Sequence, residues 1–157
     1  MDVVRNSILL FSVELLFRLL PENAPVPGLF NFAQQYFIQL DKTPLKGVAN
    51  FPLYFIIHCS RELGYELKGS YSSQTPYLSM EEGEFISQSP AASIIAVEDV
   101  SGLSQLLDVA DYEALQQVHL TAMVRMRLID WYIAFLQLHT QHMGPIRSLT
   151  VLRSILH

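Results

Sequence analysis

Four arginines in the last third of the chain, Arg125, Arg127, Arg147 and Arg153, are the one place in the sequence where several guanidinium groups could converge. Planar forks of this kind hold phosphate or carboxylate through paired hydrogen bonds, which makes these residues the candidates for binding DNA or a protein partner. The competing reading is a set of surface arginines paired with Asp130 and similar carboxylates. His139 and His142 stand three apart, a spacing that puts two imidazoles on one side of a helix, as metal sites often require. They fall at an expected helix C-terminus, where exposed carbonyls favour a histidine cation, and no cysteine or acidic residue nearby completes a ligand set.

Cys59 adjoins His58, but successive helical residues point about 100° apart and cannot share a proton. A buried structural thiol is the expectation. Glu81, Glu82 and Glu84 cluster around an expected turn, where like charges stay solvated, so a paired general acid and base is not expected. The seven glycines are scattered and build no phosphate-binding loop. These residue types therefore point to a protein that binds other macromolecules, with no catalytic residue, no metal and no cofactor.

The elements that must position the arginines follow from composition and period. With 157 residues, 50% of them hydrophobic and 16% charged, the chain is long and apolar enough to bury a core, and disorder is excluded. Its net charge of −5 repels nucleic acid overall, leaving phosphate contacts to a local cluster. A single cysteine rules out an internal disulfide and a multi-cysteine zinc site, and fits a reducing, cytoplasmic setting.

The apolar run from Ile8 to Leu20 is interrupted by Glu14 and Arg18 and falls short of the ~20 residues a membrane span needs. Asp2 and the following Pro21-Glu22-Asn23-Ala24-Pro25 spoil a signal-peptide reading, and no membrane association is expected. Residues 3 to 20 instead read as a core helix with Ser7, Glu14 and Arg18 in one polar stripe, ended by Pro21, Pro25 and Pro27. A helix this apolar predicts uncovered surface that favours self-association.

A second helix is expected from about Pro27 to Leu40, burying Leu29, Phe30, Ala33, Phe37 and Leu40. A third is expected from roughly Val48 to Leu63, with Pro52 in its first turn and Gly64 as its stop. Helical periodicity then vanishes over about 65–100, where Tyr77 to Ile86 reads as a β-hairpin turning at Glu82-Gly83. It returns at Ser101 through Leu107, and again from Tyr112 to His139 with a possible break. The later part carries two apolar faces and should sit between two layers. A last helix starts near Ser148, which is placed to cap it. The fold class is mainly α: one multi-helix bundle over residues 1–157 with a small β-hairpin insertion.

The run Gly144-Pro145-Ile146-Arg147-Ser148-Leu149 followed by Val151-Leu152-Arg153 closely resembles the C-terminal end of the RecO family of DNA recombination and repair mediators. The opening Arg5-Asn6-Ser7-Ile8, then Leu63-Gly64-Tyr65 and Glu82-Gly83-Glu84-Phe85-Ile86, follow that family's order over nearly the whole chain. The resemblance implies a family whose members bind single-stranded DNA, promote annealing, partner with RecR and help RecA displace single-stranded DNA-binding protein. It also implies an N-terminal OB-fold domain that binds DNA and, often, a four-cysteine zinc module; both are expected to be absent here. The acidic, Phe-ending tail of single-stranded DNA-binding protein needs an apolar pocket rimmed by Arg or Lys, and the third helix offers Arg61 alone. The alternative is a stand-alone helical interaction or regulatory domain, unrelated to DNA metabolism, that shares the layout by coincidence.

Overall fold

The computed structural model describes residues 2–22 and 25–156; the signal-peptide reading at Asn23 and Ala24 lies outside the described residues. Seven α-helices and one two-stranded antiparallel hairpin are found among them, a mainly α fold with the expected insertion.

Helix α1 (Val3–Leu19) starts where the Asp2 carboxylate accepts the backbone N–H groups of Val4 and Arg5, and stops two residues before Pro21. Its buried side holds Ile8, Phe11, Leu15 and Leu19. The expected wet stripe is corrected: Ser7 is buried and donates to the Val3 carbonyl, and Glu14 turns to the chain's C-terminal turn. Apart from Asn6, what is most exposed is apolar, with Val3, Leu10 and Phe17 spaced seven apart at 66%, 54% and 76% exposure. Glu14 stays partly exposed while its carboxylate accepts the backbone N–H groups of Arg147 and Ser148.

Helix α2 (Pro27–Lys42) buries Leu29, Ala33, Tyr36 and Leu40. Phe30, expected inside, is exposed, and Tyr36 takes the central place because Ser12 of α1 bonds its hydroxyl at 3.0 Å. Arg5 closes the α1–α2 corner, donating to the carbonyls of Leu40 and Thr43. A 3-10 turn (Leu45–Gly47) leads into α3 (Phe51–Glu62), which has Pro52 in its first turn and is walled by core on most sides. Gly64 ends it at φ +87°, a conformation that costs glycine nothing.

Strands β1 (Tyr77–Ser79) and β2 (Glu84–Ile86) pair Leu78 with Phe85, and both side chains enter the core. Gly83 makes the turn at φ +62°. Helix α4 (Val97–Leu107) begins four residues before the expected Ser101, because Asp99 folds back to accept the Ala96 N–H and starts the helix. The long stretch from Tyr112 does break, into α5 (Tyr112–Gln116) and α6 (Ala122–His139), each capped by a side chain: Asp111 and Thr121. Helix α6 contacts both α3 and α4, which also contact each other. Helix α7 (Leu149–Ile155) lies on α1; Ser148 makes no side-chain cap bond, and Glu14 takes its backbone N–H instead.

Candidate docking surfaces

The four arginines do not converge. Arg127 is spent on α4: its Nε and Nη2 each donate at 2.8 Å to a different oxygen of Asp99. Arg153 is spent on α6, donating to both Asp130 oxygens at 3.0 and 2.6 Å and tying α7 down. Arg125 points to the other side of α6 from Arg127, toward the start of α3, where its Nε donates to Asn50 Oδ1 at 3.1 Å. Arg147 is exposed in the turn before α7, with its backbone N–H donated to Glu14 at 2.8 Å. Two residues apart on a helix means about 200° of rotation, which is why Arg125 and Arg127 face different neighbours.

Helix α6 ends at His139, so His142 lies beyond it and the two imidazoles do not share a helix. His139 Nε2 lies 2.9 Å from the Met80 carbonyl and ties α6 to the hairpin. His58 stacks on Phe32 at 4.5 Å, and burial with the nearby Arg61 pushes its pKa down to about 4. Cys59 is fully buried, and burial pushes its thiol well above the ordinary range. Glu81, Glu82 and Glu84 are exposed around their turn. Among the described residues no group of three or more His, Cys, Asp or Glu could hold a metal ion. Residues 65–100 contain neither cysteine nor histidine, so a four-cysteine module has no ligands there.

A groove of about 420 Å³ opens where α1, α3 and α6 end side by side. Leu20, Pro21, Leu63 and Tyr65 supply an apolar wall, and Arg18, His139 and His142 supply the basic one. It runs on along α1 past Phe17, sharing Arg18, Leu20, Pro21 and His142 with a second hollow that adds the carboxylate of Glu22. Arg18 lies against Gly144, where an added Cβ would sit 3.6 Å from Nη1. The sequence pairs His139 with His142 but gives no link from either to Arg18; the signal that could have joined them is that each sits in the last turn of a helix or just beyond it. Among the described residues no helix is long and apolar enough to cross a membrane.

The class defined by this fold is a mainly α bundle with a hairpin insertion. The family model "Recombination protein O C terminal" matches residues 1–150, and the chain belongs to that family. Similar proteins include "DNA repair protein RecO" of Azobacteroides pseudotrichonymphae, 28% identical over 152 residues and covering 97% of this chain and 63% of that protein. The protein of the same name from Bacteroides fragilis is 29% identical over 157 residues, covering 98% and 64%. That of Christiangramia forsetii is 25% identical over 152 residues, covering 97% and 62%. The chain thus spans less than two thirds of the length of these relatives. No solved structure matches it. The shared layout is that of a family and not a coincidence.

Proposed function

We propose that the chain is a non-enzymatic docking scaffold of recombinational DNA repair, acting in the cytoplasm. The names of its relatives, each a DNA repair protein, support the process, and the groove at the ends of α1, α3 and α6 supports the mode of action. An apolar wall beside three basic side chains fits a short acidic peptide that ends in an aromatic residue. By the family resemblance, that peptide is the tail of single-stranded DNA-binding protein, RecR is a second partner, and single-stranded DNA is bound chiefly by an OB-fold domain. The helical part then holds these components together while DNA is annealed or RecA is loaded. Arg147, exposed and close to the groove's α6 side in sequence, remains a candidate contact; Arg127 and Arg153 act in this reading as structural ties.

The observation that carries the proposal is the juxtaposition of Leu20, Leu63 and Tyr65 with Arg18, His139 and His142. Fluorescence anisotropy with a labelled peptide of the acidic, Phe-ending type tests it. Saturable binding that Arg18→Ala and Tyr65→Ala each weaken is the expected result. A peptide that fails to bind, or binds both variants as tightly as the parent, removes the groove from the account.

A further inference from the structure

A separate cavity, of about 150 Å³, opens at the other end of the α3–α6 pair. Helix α3 alone puts about 18 Å between this cavity and the groove, at about 1.5 Å of rise per residue. It lies between the 3-10 turn, the start of α3 and the α5–α6 connection, and three basic side chains line it: Lys46, His119 and Arg125. The other polar side chains on its wall are the amides of Asn50 and Gln116, and no Asp or Glu lines it.

Arg125 is held in place before any ligand arrives. Its Nε donates to Asn50 Oδ1 at 3.1 Å and its Nη2 to the Leu120 carbonyl at 3.0 Å. Asn50, 5% exposed, is itself anchored through Nδ2 to the carbonyls of Val118 at 2.8 Å and Leu115 at 3.4 Å. Arg5, Arg61, Arg127 and Arg153 each meet a carboxylate, whereas among the described residues Arg125 makes no ion pair. Burial lowers its pKa with no nearby carboxylate to offset it. A half-buried cation without a counter-charge carries a desolvation cost that an incoming anion would relieve.

We propose that the pocket formed by Lys46, His119 and Arg125 binds a phosphate group. Three donor types line it from three elements: an ammonium, an imidazole and a guanidinium. That arrangement suits a tetrahedral oxyanion with more than two acceptor oxygens better than a planar carboxylate, which a single Arg fork already satisfies. The cavity accommodates the phosphate head and leaves its ester substituent in solvent, so the group can come from a free phosphorylated small molecule or from a sugar–phosphate backbone. The proposal is independent of the groove, and either can fail alone.

The test is a titration of the full chain with inorganic phosphate at constant ionic strength, followed by NMR at the side chains of His119 and Arg125, with chloride as the control. The expected result is a saturable shift with a dissociation constant on the order of 1 mM. The double variant Lys46→Ala, His119→Gln should weaken binding about tenfold or more, read at the Arg125 side chain; both replaced side chains are exposed, so the fold is kept. Competition between a nucleoside monophosphate and a short single-stranded oligonucleotide for the same resonances distinguishes the two sources, and saturation by either supports the site. A linear drift equal for phosphate and chloride, or an unchanged constant in the double variant, overturns the proposal.

Discussion

Arg127 and Asp99 form a two-pronged ion pair, both hydrogen bonds at 2.8 Å, in which the carboxylate is fully buried and the guanidinium partly exposed. Asp99 also accepts the Ala96 N–H at 2.9 Å, so one side chain starts α4 and fastens it to α6. The Asp99→Ala variant leaves a helix start uncapped and removes the partner of a guanidinium that water can still reach, and should cost about 1–2 kcal/mol. Urea denaturation checks this; a loss no larger than that of an exposed aspartate would show the pair to be incidental.

Acid should reach the fold through two carboxylates. Burial opposes the charge of Asp99, but the bonds from Arg127 and Ala96 outweigh it and hold the pKa below the ordinary value. Burial likewise opposes Glu14, and the bonds from Ser148 and Arg147 outweigh it. For a depressed folded pKa, the unfolded chain binds more protons in the window between the two values. Stability is therefore fully present above the unfolded value of about 4 and declines as pH falls through the folded one. Urea midpoints measured from neutral to acid should be flat and then drop, and Asp99→Asn should shallow that drop.

The hairpin turn depends on Gly83. Its φ of +62° disfavours any side chain, and an added Cβ would lie 3.1 Å from the Phe135 ring of α6. Its carbonyl also accepts the Lys68 N–H at 2.8 Å. Gly83→Ala should destabilise the chain by about 1–2 kcal/mol, visible as a lowered thermal midpoint. A midpoint equal to the parent's would mean that the turn relaxes without strain.

The stripe of Val3, Leu10 and Phe17 leaves apolar area in water, and its burial is favourable at about 25 cal/mol per Å². Sedimentation velocity on the full chain should show association that grows with concentration. Leu10→Glu with Phe17→Glu should return it to monomer. A parent that stays strictly monomeric at high concentration sinks the self-association reading.

Much of this was open to reading from residue order, because local signals act over a few residues. Helical period marked α1, α2 and α3, glycine marked the stop at Gly64 and the turn at Gly83, and family membership showed in short motifs spread over the chain. Boundaries failed where a side chain reaches back to the backbone, as Asp99 does to start α4.

What residue types and spacing determined by themselves was a mainly α bundle, its hairpin insertion and the burial of Cys59, since period and polarity need no partner to be expressed. Only the tertiary structure decided which charges are spent and which are available. Arg127 and Arg153 find carboxylates on neighbouring helices, Arg125 finds none among the described residues, and Glu14 binds two backbone N–H groups 133 and 134 residues away. The physical reason is that a charge is neutralised by whatever lies within a few ångströms, and that neighbourhood is set by how helices pack rather than by their order along the chain.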